Sequence, residues 1–100
     1  MASYNKLVRD KIPEYLDSKG ISYEKRIAND EEYRTELLKK LDEEVKEFLE
    51  AKNEEELADI LEVIEAIKNL PEFGKVDEVK AKKFQDRGGF KDKIILRGEK

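Results

Sequence analysis

Glu44 and Glu47 stand three residues apart, and so do Glu56 and Asp59. The first pair belongs to Glu43-Glu44-Val45-Lys46-Glu47, the second to Glu55-Glu56-Leu57-Ala58-Asp59. Side chains three apart lie on one side of a helix. If the two segments pack as a helical hairpin, four carboxylates converge on one point. Ionised carboxylates repel one another, so such a cluster suits a hard divalent cation. The chain has no cysteine and no histidine, which removes thiolate and imidazole ligands and the usual general base. An all-oxygen site favours Mg²⁺ or Mn²⁺ over zinc.

Two helices have to position these acids. Tyr33, Leu37, Leu38, Leu41, Val45, Phe48 and Leu49 recur in steps of three and four, the pattern of an amphipathic helix. Asn29 or Asp30 caps its start, with Glu31 and Glu32 in the first turn. Lys52-Asn53 interrupts the pattern. Leu57, Ile60, Leu61, Val63, Ile64, Ile67 and Leu70 form a second stripe, stopped by Pro71. A connection this short makes the helices antiparallel neighbours.

Helical angles sharpen the assignment. At about 100° per residue, Glu44 falls about 60° to one side of Leu41, inside the apolar arc, and Glu47 about 120° to that side, just past its edge. Around Ile60, Glu56 falls about 40° to the same side and Asp59 about 100°. Each helix thus carries one acid within its apolar stripe and a second beside it, displaced in the same direction. A buried ionised carboxylate needs a cation, a basic partner or a raised pKa. For one such pair alone, a salt-bridged surface acid is the simpler reading; for two offset alike, a shared metal is. Glu43, Glu50 and Glu55 are assigned to solvent. Glu62 continues the Glu56–Asp59 ridge, where it can touch a second metal or orient a water.

The flanks are less regular. Pro13 starts a short helix and Gly20 ends it. Ile21, Tyr23 and Ile27 sit at alternating positions, which predicts a short extended or β segment near 21–27. A second one is expected near 93–97 from Ile94-Ile95-Leu96, pairing with the first. Gly74 to Arg87 supports a third long helix, closed by Gly88-Gly89. The expected fold is predominantly all-α and a single domain over 1–100. Its antiparallel hairpin would complete a four-helix-type bundle on oligomerisation, because two long helices cannot close a bundle alone.

Charged residues make up 46% of the chain and hydrophobic ones 38%, which suits solvated helices or a subunit that completes its core by association. The net charge of −4 conceals a segregation: residues 30–72 hold 16 acids and 6 bases, whereas 73–97 hold 8 bases and 4 acids. An acidic centre with basic flanks is what a metal–polyphosphate site requires. The absence of a long basic stripe argues against nucleic acid as partner. Neither a membrane-spanning run nor a signal-peptide pattern is present, so a cytoplasmic location is expected.

The motifs EEVKE at 43–47 and EELAD at 55–59 resemble the all-α nucleoside triphosphate pyrophosphohydrolases, the MazG-like superfamily that includes phosphoribosyl-ATP pyrophosphohydrolases. YNKLVRDKIPEYL at 4–16 and KFQDRGGF at 83–90 look like its small house-cleaning branch. The resemblance implies Mg²⁺-dependent hydrolysis of a nucleoside triphosphate, of a non-standard kind, to monophosphate and pyrophosphate. It implies metal ligation by Glu44, Glu47, Glu56 and Asp59, with Glu44 or Glu47 as the carboxylate that activates water. It also implies at least a dimer. Phosphate contacts are expected from Lys6, Arg9, Lys11, Lys83 and Arg87 in the basic flanks. Phe90 and Tyr4 are candidates to stack on a base, though core or interface roles suit them better. Two other functions compete: phosphoribosyl-ATP hydrolysis, and a non-catalytic helical interaction protein whose acids only solubilise it.

Overall fold

The computed structural model describes residues 5–99. The described residues form four α-helices: α1 (Ile12–Ser18), α2 (Asp30–Ala51), α3 (Glu54–Lys68) and α4 (Val76–Arg87), with a 3₁₀ turn at Pro71–Phe73 before α4. The all-α expectation is met, and α2 and α3 form the central pair.

Local chemistry sets the ends of that pair. Asn29 Oδ1 accepts the Glu32 backbone N–H at 2.9 Å and caps α2; Asn53 Oδ1 accepts that of Glu56 at 2.9 Å and caps α3. Only Lys52 and Asn53 separate the two helices, with Lys52 in the left-handed region at φ 53°. Its N–H closes α2 onto the Phe48 carbonyl at 2.7 Å. A reversal this tight places the second half of α2 against the first half of α3. Glu44 and Glu56 are thereby brought face to face.

The core is small. Leu37, Val63 and Leu70 are buried, with Leu7, Tyr33, Leu41, Ala66 and Ile67 packed around them. Each apolar arc is covered more deeply on one side than on the other. Leu37 and Val63, on the same side as the acids, are 3% and 9% exposed, whereas Leu38, Leu49, Leu57 and Leu61 on the opposite side remain 42–61% exposed. The radius of gyration is 18.0 Å, against about 13 Å for a compact chain of this length. Accessible surface is 9828 Å², where a compact monomer of this mass exposes roughly 6,000 Å².

The expected extended segments near 21–27 and 93–97 do not form β-structure: there is no strand among the described residues. A lone strand leaves its backbone groups without partners, and neither segment finds a mate among the described residues. Residues 22–28 and 94–97 make no non-helical backbone hydrogen bond among the described residues, and Ile27, Ile95 and Leu96 are almost fully exposed. The alternation of Ile21, Tyr23 and Ile27 reflects no sheet face. Tyr23 instead donates its hydroxyl to Asp17 at 2.8 Å, tying the segment back to α1. The third long helix begins at Val76 rather than Gly74, behind the 3₁₀ turn, and is exposed along its length. No helix among the described residues is long and apolar enough to cross a membrane.

Candidate metal centre

Glu44 on α2 and Glu56 and Asp59 on α3 each present a carboxylate oxygen such that all three lie within 4.8 Å of one another. Glu44 is buried, at 6% exposure; Glu56 and Asp59 are half-buried. Glu44 owes its burial to its place inside the apolar arc of α2, on the side that meets α3. Glu56 is the third residue of α3, where a glutamate usually returns to the cap N–H. Here its Oε2 is buried and accepts no hydrogen bond, and the same is true of Glu44 Oε2. Orphaned carboxylate oxygens are rare in folded proteins and strongly unfavourable. An oxygen-only donor set with two unpartnered buried oxygens fits a hard cation such as Mg²⁺.

Electrostatics agree with the geometry. Burial raises the Glu44 carboxyl above its ordinary value; Glu47, Asp59 and Glu43 add to the rise and Lys40 opposes it. Burial also raises Glu56, followed by the charges of Glu47 and Asp59 and the closeness of the Glu47 carboxyl, which favours a shared proton. Both shifts express the same strain, that of like charges gathered out of water.

Glu47 stands beside this trio rather than in it. It is exposed, yet near enough to Glu56 to share a hydrogen bond when one of the two is protonated. Glu62 is exposed and paired with Arg9. Of the acids assigned to solvent, Glu50 and Glu55 are exposed, whereas Glu43 is half-buried and pairs with Lys6 at 3.3 Å.

The basic residues divide into two groups. Lys6 and Arg9, on the segment preceding α1, straddle the hairpin: Lys6 reaches α2 through Glu43, and Arg9 reaches α3 through Asp59 at 3.3 Å and Glu62 at 3.2 Å. Leu7, between them, packs on the core and fixes their placement. Lys11 is exposed and makes no ion pair among the described residues; Lys83 is the same, and Arg87 pairs only with its neighbour Asp86. Phe90 is fully exposed, and Tyr4 lies outside the described residues.

Lys40 is a site residue that the sequence reading passed over. Its Nζ lies 3.6 Å from Glu44 Oε1 and 3.9 Å from Glu43 Oε1, and the side chain is largely covered. The i,i+4 spacing of Lys40 and Glu44 was the available signal. Comparison of the chain with family models, characterised proteins and solved structures gives no match.

Proposed function

We propose that this chain is a divalent-metal-dependent nucleoside triphosphate pyrophosphohydrolase acting on non-standard nucleotides. The observation that carries the reading is the meeting of Glu44, Glu56 and Asp59 around two buried carboxylate oxygens that have no partner. A cation would relieve what no side chain among the described residues relieves. The nucleotide part of the reading rests on the resemblance of the acidic motifs and the two flanking motifs to the MazG-like superfamily.

Glu44, Glu56 and Asp59 would hold Mg²⁺. When bound, the ion supplies charge neutralisation at phosphate oxygens. Glu47 is the better of the two candidates for activating water, because Glu44 is buried with one oxygen turned to Lys40. An exposed carboxylate beside the trio can orient a water and accept its proton at a side-chain oxygen. Lys6 and Arg9 border the cluster and suit the phosphates of the substrate. Lys11 lies further along the same segment.

Association belongs to the same proposal. The open sides of both arcs, with Leu38, Leu49, Leu57 and Leu61, offer a second hairpin the surface that a four-helix core requires. Lys83 and Arg87 would have to reach phosphate across such an assembly. The same open surface favours the competing reading, a non-catalytic helical partner, but that reading leaves the orphaned oxygens of Glu44 and Glu56 unexplained.

Pyrophosphate release from a panel of standard and modified triphosphates, with and without Mg²⁺, tests the proposal. Mg²⁺-dependent release from at least one nucleoside triphosphate is expected. No turnover on any of them would favour the interaction protein, and turnover of phosphoribosyl-ATP alone would favour the biosynthetic reaction.

A further inference from the structure

Arg9 holds two acids of α3 at once. Its Nη1 donates to Asp59 Oδ1 at 3.3 Å and its Nη2 to Glu62 Oε1 at 3.2 Å. Asp59 and Glu62 are three apart on α3 and so share a ridge, which matches the planar fork of a guanidinium. Asp59 is also one of the three residues whose oxygens converge. The guanidinium therefore occupies a carboxylate that the cluster needs for a cation. It neutralises only the rim: Glu44 Oε2 and Glu56 Oε2 stay unpartnered behind it.

Lys6, on the same segment, makes a different kind of contact. It pairs with Glu43, which is no member of the trio. Among the described residues of this segment, Arg9 alone pairs with a member of the trio. Its side chain is 60% exposed and free to turn away from Asp59 while keeping Glu62. Once turned, its fork is open to a phosphate, the other oxyanion that arginine recognises bidentately.

We infer that Arg9 is the protein's own stand-in for the divalent cation: it rests on Asp59 until a cation takes that carboxylate, and is thereby released to bind phosphate. This inference rests on the metal-site reading above. It makes Arg9 a positioning residue that links two events. Cation binding frees the guanidinium, and a phosphate that engages it removes the competitor from Asp59. The two ligands must then favour each other's binding by the same factor.

Isothermal titration with Mn²⁺ alone reads the first half. Arg9→Gln is expected to bind Mn²⁺ more tightly than the wild type, by up to roughly fivefold, the scale of an exposed ion pair. Lys6→Gln removes the same charge from the same segment without touching the trio, and a clearly smaller gain is expected. Arg9→Lys, which cannot fork across both acids, should fall between wild type and Arg9→Gln. Titration of pyrophosphate in saturating Mg²⁺ reads the second half, and Arg9→Gln should bind it more weakly than wild type. Unchanged or weaker Mn²⁺ binding by Arg9→Gln, or equal gains in Arg9→Gln and Lys6→Gln, would overturn the inference and leave Arg9 as a clamp between the N-terminal segment and α3. Absence of any divalent binding by the wild type would overturn the metal site itself.

Discussion

Glu44 and Glu56 meet across the seam between α2 and α3, and each keeps a buried oxygen that accepts no hydrogen bond. A protein that gathers such groups is held together against its own charge. Cations, protons and charge-neutral substitutions should therefore all be felt in its stability.

Mg²⁺ or Mn²⁺ is expected to raise the melting temperature, because the converging oxygens exist only in the folded chain. At a free cation concentration a hundred times the dissociation constant, the gain is about 2.7 kcal/mol. A gain of that size is worth ten degrees or more for so small a domain. Thermal unfolding with increasing Mg²⁺, reversed by a chelator, measures it. A melting temperature indifferent to both ions would remove the metal from the proposal.

Glu56→Gln removes a charge that burial and Glu47 already disfavour. The metal-free variant should be as stable as the wild type or more so, while the stabilisation by Mg²⁺ and the pyrophosphate release are both lost. Marked destabilisation of the metal-free variant would mark Glu56 as a structural partner instead.

Glu47→Gln should behave differently. Glu47 is exposed and outside the trio, so Mg²⁺ should still stabilise this variant. Turnover should fall by a factor of about a hundred or more, the scale of lost general-base catalysis. Titration calorimetry beside single-turnover kinetics separates the two effects. Equal loss of metal binding in Glu47→Gln and Glu56→Gln would make Glu47 a ligand.

Acid should stabilise the metal-free protein over a limited range. Glu44 and Glu56 have folded pKa values above their unfolded ones. The folded state then binds more protons, and stability rises as pH falls from above the folded values toward the ordinary carboxylate value. Glu32 has the opposite sign, since its hydrogen bonds with Arg26 lower its pKa, and it is protonated only below that range. Denaturant midpoints between neutral pH and about pH 5 should increase without metal. With saturating Mg²⁺ the increase should vanish or reverse. A metal-free midpoint that falls steadily on acidification would show that the acids are already compensated.

The two sides of the apolar arc should respond differently. Leu37→Ala empties a 3% exposed position in a minimal core and should cost about 2–5 kcal/mol, enough to unfold a marginal domain. Leu49→Glu lies on the open side, at 61% exposure. It should leave the helical signal intact and halve the mass seen by light scattering if two hairpins pair. Wild type running as a monomer would instead remove the second copy from the proposal.

Much of this was legible in the chain as written. That Asn53 caps α3 emerged only from the structure. The two stripes, a cap at Asn29 or Asp30, and the break at Lys52-Asn53 follow from spacing and local hydrogen bonding, which short-range sequence encodes. So does the shared offset of Glu44 and Glu56 from the centres of their stripes, which foretold that these two acids would be drawn inward. The segments near 21–27 and 93–97 form no β-structure among the described residues, because alternation describes a strand only when a partner exists, and partners are a tertiary property. What only the packed hairpin decided is which half of each apolar arc turns inward. Leu37 and Val63 went in while Leu38 and Leu61 stayed out, and that choice carried Glu44, Glu56 and Asp59 to one point and left Glu47 beside it. The resting place of Arg9 was likewise hidden. It lies fifty residues from Asp59 in sequence, and only the path of the segment around Leu7 brings them together.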